Sequence, residues 1–184
     1  MRDTLLVNLY AGPGAGKSTA AAYIFSRLKM MGVNAELVTE YAKDKVWEKC
    51  DTAFKCQLYV NAKQVFRLSR VNGKVDVMIT DSPLLLGAIY SNEKHVIDAA
   101  IGEDRKYTNR LDFFIGRNPK RAYVQAGRHQ NFDEAVQLDT EIKSLLEKEK
   151  RQFKTVPSTQ DGFEAIVMEI CMKMGIKYED CFIS

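Results

Sequence analysis

Eight consecutive residues, Gly12-Pro13-Gly14-Ala15-Gly16-Lys17-Ser18-Thr19, combine glycines, one lysine and two hydroxyls in the spacing of a phosphate cradle. Glycines permit the backbone angles that turn successive N–H groups inward around phosphate oxygens, and a helix beginning at the loop's end adds its positive dipole. The reading that follows is ATP held by Gly12, Pro13, Gly14, Ala15, Gly16, Lys17, Ser18 and Thr19, with Lys17 on the β- and γ-phosphates and the Ser18 hydroxyl on Mg²⁺. The strict form of the pattern places a glycine at position 11, where this chain has Ala11. Gly12 and Gly14 still supply freedom inside the loop.

Two carboxylates stand at the ends of apolar runs. Asp81 closes Val75-Asp76-Val77-Met78-Ile79-Thr80, and ligands of open α/β sheets gather at that carboxyl edge, so Asp81 is expected beside Ser18 in the Mg²⁺ shell. Asp81-Ser82-Pro83 also reads as a helix start, which is the structural alternative. Glu40 follows the run Ala35 to Thr39 directly. An alcohol attacking a phosphoryl group benefits from a carboxylate that takes or orients its proton, whereas an acceptor phosphate mainly needs cations. Glu40 is therefore the candidate base, with Asp81 in reserve.

Between Arg117 and Arg128 three arginines, Arg117, Arg121 and Arg128, occupy a loop-like stretch with Gly127 as a pivot. A lid near 117–130 bringing such side chains over the phosphates would stabilise the charge that spreads during transfer. Arg117 and Arg121 are assigned to ATP, and Arg128 joins Lys17, Glu40 and Asp81 among the catalytic candidates. On the helical stretch from Thr52 to Val71, Gln57, Asn61 and Gln64 recur at one face and Arg67 continues the row. Amides pair with a nucleobase edge, so these four, with Tyr41 and Phe54 as stacking partners, form the expected acceptor side.

These residues need a scaffold that brings strand ends together. Apolar runs at Leu5–Tyr10, Ala35–Thr39, Val75–Thr80, Leu111–Ile115 and Phe153–Val156 alternate with helical stretches, which predicts a five-stranded parallel sheet with helices on both faces. Helices are expected over Ser18–Met31, ending at Gly32; Thr52–Val71, ending at Asn72-Gly73; from Asn131 or Asp133 to about Lys150; and Thr159–Met174. No repeat or Gly/Ser/Pro linker divides the chain, so residues 1–184 read as one domain.

With 184 residues, 46% of them apolar, the chain can bury a core without disulfide or metal staples. Cys50, Cys56, Cys171 and Cys181 lack metal-ligand spacing and read as reduced packing thiols. The apolar run after Met1 is too short for a signal peptide or a membrane span, so a cytoplasmic location is expected. Net charge is only +3, yet Lys43–Lys74 carries +5 and Arg105–Arg128 carries +6. A polymeric acceptor such as DNA would need such surfaces, and a free nucleoside would not. No Asn-Lys-x-Asp guanine signature is present, and AAA+ machines are set aside because their helical domain needs more chain. A small kinase remains; its oligomeric state, monomer or dimer, is not legible.

Four blocks, Gly12 to Thr19, Glu40-Tyr41-Ala42-Lys43-Asp44, Ile79-Thr80-Asp81-Ser82-Pro83-Leu84 and Gly127-Arg128, together resemble the bacteriophage 5-hydroxymethyluracil DNA kinases, relatives of thymidylate kinase, from Leu5 to about Leu146. The second and third blocks are also similar to ribosylnicotinamide kinase domains. The resemblance implies a P-loop NTPase of the nucleoside- and nucleotide-kinase type that uses ATP and Mg²⁺. Its acceptor would be the 5-hydroxymethyl group of a modified uracil in viral DNA inside the host cytoplasm, a step toward thymidine hypermodification, or else a free nucleoside, nucleotide or ribosylnicotinamide. An ATP-binding regulatory protein without an acceptor is the third reading.

Overall fold

The computed structural model describes residues 3–119 and 131–176. Its strands are β1 (Leu5–Tyr10), β2 (Ala35–Val38), β3 (Val77–Thr80), β4 (Arg110–Gly116) and β5 (Phe153–Pro157), all parallel in the order β2-β3-β1-β4-β5. The helices are α1 (Lys17–Met30), α2 (Tyr41–Trp47), α3 (Asp51–Phe54), α4 (Gln57–Ser69), α5 (Lys94–Asp104), α6 (Phe132–Lys148) and α7 (Gln160–Met174), with a 3₁₀ segment at Leu84–Ala88. The five-stranded parallel α/β sheet is the one expected from the alternation of elements, and the whole is the P-loop NTPase fold that the resemblance implies.

Alternate residues of the central strands serve different layers, as a strand's two-residue period requires. Leu5, Val7, Leu9, Val77 and Ile79 pack with Ile24 and Leu28 of α1 and with Ile166, Val167 and Ile170 of α7. Leu6 and Met78 point the other way and join Val38, Leu84 and Leu68 of α4. Because all strands are parallel, the segments leaving β1, β2 and β3 emerge at one edge. Gly12–Thr19, Glu40 and Asp81 are those segments.

Helix ends follow the expected chemistry at α1, α6 and α7. Gly32 has φ +74° just past α1, and Gly175 has φ +69° past α7, the left-handed geometry that a Cβ disfavours. Asn131 and Glu134 form a reciprocal capping box at α6, and the Thr159 hydroxyl accepts from the Gly162 amide at α7. The predicted helix over Thr52–Val71 is instead two helices: Cys56, at φ −133° and ψ 88°, is extended and separates α3 from α4. The helix start read at Asp81-Ser82-Pro83 is followed by the 3₁₀ segment, whose N-cap is Pro83, whereas α2 and α5 are not marked by the ends used above. Cys171 is buried in the core as expected, whereas Cys56 is exposed and Cys50 half-buried; Cys181 lies outside the described residues. Among the described residues no helix is long and apolar enough to cross a membrane.

Candidate active site

The loop between β1 and α1 owes its shape to two left-handed glycines, Gly14 at φ +77° and Gly16 at φ +105°. Gly16 is also the N-cap of α1 and supplies no side-chain cap, so the first amides of α1 remain available to an anion. The Lys17 ammonium donates to the carbonyls of Ala11 at 2.7 Å and Gly12 at 3.2 Å. Burial lowers its pKa, opposed by the carboxylates of Glu40, Asp81 and Asp139.

The Ser18 hydroxyl donates to Asp81 Oδ2 at 2.6 Å, which joins the start of α1 to the end of β3. Asp81 is only 4% exposed, and its other oxygen, Oδ1, is buried without a hydrogen-bond partner. A hydroxyl and a carboxylate in contact, one oxygen of which lacks a donor, are the oxygen ligands a Mg²⁺ ion accepts beside phosphates. The pair thus fits Mg²⁺, and the glycine cradle fits a triphosphate.

Glu40 is the N-cap residue of α2, with φ −67° and ψ 124°, and makes no side-chain capping bond. Its carboxyl lines the same cleft as Lys17 and Asp81. Burial raises its pKa above the ordinary glutamate value, Lys17 opposes that rise, and Asp81 reinforces it. A carboxylate so placed holds a proton more readily than a free glutamate does.

The cleft, about 580 Å³, runs from Pro13, Gly14 and Gly16–Thr19 past Glu40 and Asp81 to Trp47, Phe54, Gln57, Asn61 and Tyr90, while Ala15 is buried in the core. Gln57 donates its amide to Asn61 at 2.8 Å, and Asn61 reaches the Gly87 carbonyl at 3.4 Å. Gln64 also lines the cleft, but its amide is engaged with the backbone at Thr39 and Tyr41. Tyr41 and Arg67 are not brought to the cleft. The Tyr41 hydroxyl pairs with that of Tyr59 at 2.8 Å, and the Arg67 guanidinium bonds Thr39, ion-pairs with Asp44 and lies over the Tyr41 ring.

Arg117 takes a different place from a phosphate ligand. Its guanidinium donates to Asp139 and to the carbonyls of Pro13 and Ala135, both at 2.8 Å, while Asp139 Oδ1 accepts from the Gly12 amide at 2.6 Å. The phosphate loop is thereby tied to α6. Gly12 has no room for a side chain, because a Cβ would run into the Ala135 carbonyl, with Arg117 at 2.8 Å and Asp139 at 2.9 Å. Arg121, Gly127 and Arg128 lie outside the described residues.

Trp47, Gly87, Tyr90 and Asp139 were missed by sequence reasoning. Burial raises the Tyr90 hydroxyl well above its ordinary pKa, with the charges of Glu40, Asp139 and Glu141 adding to the rise. Asp139 sits 127 positions from Gly12, and no local pattern marks such a contact.

The crystal structure of NadR protein in complex with NR matches with a TM-score of 0.64 at 14% identity, over 95% of this chain and 52% of that one. The chain therefore spans about half the length of that protein, and the likeness is one of fold. No curated protein matches. The model of the family described as an AAA domain covers residues 6–163, from β1 into α7, and the chain belongs to that family.

Proposed function

We propose that the protein is an ATP-dependent phosphotransferase whose acceptor is an alcohol on a free nucleoside-like small molecule. The observation that carries this reading is the cleft itself: it continues beyond the phosphate loop and Asp81, past Glu40, into a space walled by Trp47, Phe54, Gln57, Asn61 and Tyr90. A hydrolase needs only water at that position, whereas a nucleoside needs aromatic walls and amides. The likeness in fold to NadR bound to NR and the similarity to ribosylnicotinamide kinase domains support the same class of acceptor.

Bound with Mg²⁺, ATP supplies the phosphoryl group. Lys17 and the α1 amides hold its phosphates, Ser18 and Asp81 hold the metal, and Glu40 accepts the proton of the attacking hydroxyl. The new bond joins the acceptor oxygen to phosphorus, the bond to ADP breaks, and the proton rests on Glu40. Arg121 and Arg128 keep, within this proposal, the phosphate-stabilising roles that the sequence suggests, as does the single-domain organisation with its arginine-bearing segment. Arg117 acts by bracing the loop.

A second reading, transfer to a hydroxymethyl base within DNA, is favoured by one observation. Trp47 lines the cleft yet is 64% exposed, and α4 carries Tyr59 and Phe66 outward, 43% and 66% exposed, with the Lys63 ammonium 5.4 Å from the Tyr59 ring centre. Exposed aromatics interleaved with cations suit an unpaired strand. The test is transfer of label from [γ-³²P]ATP across ribosylnicotinamide, thymidine, thymidylate, 5-hydroxymethyldeoxyuridine and single- and double-stranded DNA containing 5-hydroxymethyluracil. Labelling of ribosylnicotinamide, thymidine or 5-hydroxymethyldeoxyuridine supports the first reading, and labelling of thymidylate on its phosphate overturns the alcohol acceptor. Labelling of DNA alone, weakened steeply by salt, selects the second. Hydrolysis or binding without transfer overturns both in favour of a regulatory ATP-binding protein.

A further inference from the structure

Gln64 is 5% exposed and uses both ends of its amide on one short piece of backbone. Its Oε1 accepts from the Tyr41 amide at 3.0 Å and its Nε2 approaches the Thr39 carbonyl at 3.4 Å. The residue between those two partners is Glu40. Because an amide oxygen can only accept and an amide nitrogen only donate, the backbone partners fix which way the side chain lies. Arg67, one turn further along α4, adds bonds to the Thr39 carbonyl at 3.1 Å and the Thr39 hydroxyl at 3.2 Å.

This arrangement solves a conflict at the start of α2. The first amides of a helix need acceptors, and the side chain at the N-cap ordinarily supplies one. Glu40 occupies the N-cap yet makes no such bond. A carboxylate that did so would be turned along its own helix and held ionised, of less use as a proton acceptor. The Tyr41 amide, one position before those an N-cap side chain reaches, takes its acceptor from another helix, Gln64 of α4.

We propose that Gln64 is the positioning residue of Glu40: its amide holds the backbone on both sides, at the Thr39 carbonyl and at the Tyr41 amide that opens α2, so that the carboxylate stays in the cleft beside Lys17 and Asp81. The inference rests on the reading of Glu40 as the base. It reassigns Gln64 from acceptor recognition to control of the catalytic carboxylate. The division along α4 is then by turn: Gln57 and Asn61 are left for the acceptor, and Gln64 and Arg67 serve the β2–α2 segment.

The test uses the full chain labelled with [¹³Cδ]glutamate, in which the Glu40 carboxyl signal is the one missing from Glu40→Gln, and follows its titration by NMR without any acceptor. Gln64→Met removes both bonds and is expected to move the Glu40 midpoint down by about half a pH unit or more, as the loosened backbone lets the carboxylate turn to the amides of Ala42 and Lys43 or to water. Gln64→Glu keeps an acceptor for the Tyr41 amide and is expected to hold the midpoint at or above that of the parent. Should the methionine variant not fold, Gln64→Asn, too short to span both partners, is expected to show the same fall. A midpoint unmoved in a folded Gln64→Met or Gln64→Asn protein overturns the proposal, as does an equal fall in Gln64→Glu. The base assignment fails separately, if Glu40→Gln transfers phosphate at the parent rate.

Discussion

The Ser18 hydroxyl and Asp81 Oδ2 are 2.6 Å apart, although one begins a helix and the other ends a strand 63 positions later. β1 and β3 are neighbours in register, Asn8 opposite Thr80, so the loop after the first and the carboxylate after the second must meet. Asp81→Asn keeps the shape and removes the charge. Turnover should fall by about 10²-fold or more and the Mg²⁺ requirement rise by about tenfold, while metal-free ATP affinity, measured by calorimetry, stays within about threefold. An unchanged Mg²⁺ dependence would remove Asp81 from the metal shell.

Bracing of the phosphate loop by α6 makes a separate prediction. Arg117→Ala deletes three bonds that hold Pro13, Ala135 and Asp139, so ATP should bind about tenfold more weakly and the melting temperature should drop together with it. Gly12→Ala should be worse, because the colliding atoms include the backbone carbonyl of Ala135. If Arg117 instead met the transferring phosphate, its loss would lower turnover at saturating ATP and leave the melting temperature alone. Saturation kinetics and a thermal melt together decide.

What could be read beforehand was whatever a local rule governs. The glycines of the loop, the apolar run Leu5 to Tyr10 and the start of α6 near Asn131 each declare themselves within a few residues. The amide row on α4 was legible as a row, but its division was not, because Gln64 and Asn61 lie one turn apart and differ only in what folds against them. Gln64 meets the segment after β2, Asn61 meets Gly87. Arg117 was expected over the phosphates and lies behind the loop for the same reason: its partner Asp139 is fixed by the docking of α6, which no spacing reveals. The break at Cys56 was missed because α3 and α4 share one continuous helical pattern.

Glu40 makes a prediction about pH whose sign differs between activity and stability. Its pKa is raised by burial, so the base is lost to protonation as pH falls through that raised value, and turnover should decline on the acid side at a pH above that of a free glutamate. Glu40→Gln should lower the turnover number far more than it changes the Michaelis constant for ATP. For stability, a carboxyl that binds its proton more tightly when folded favours the folded state below its unfolded pKa, and that contribution is lost as pH rises through the folded one. Glu40→Gln should therefore melt like the parent in acid and above it at alkaline pH, with the gap opening between the two pKa values. A constant gap across pH would show that Glu40 is not desolvated.

Gly87 offers the cleanest probe of the acceptor end of the cleft. A Cβ at this position would lie 2.7 Å from both Cγ and Nδ2 of Asn61 and closer still to Oδ1, so Gly87→Ala must displace the Asn61 amide and with it the bond from Gln57. The obstacle is a side chain and can move, so the protein should remain folded, with a loss of about 1–2 kcal/mol. Neither residue touches the phosphate loop, and ATP affinity should be unchanged. The Michaelis constant for the acceptor should rise by about tenfold or more, as expected when a pair of polar groups built to read a partner is turned aside. Asn61→Ala should give a loss of similar size, and the double variant little beyond it, because both substitutions remove one interaction. Additive losses in the double variant would mean that Gly87 and Asn61 act on the acceptor independently, and the cleft beyond Glu40 would need another reader.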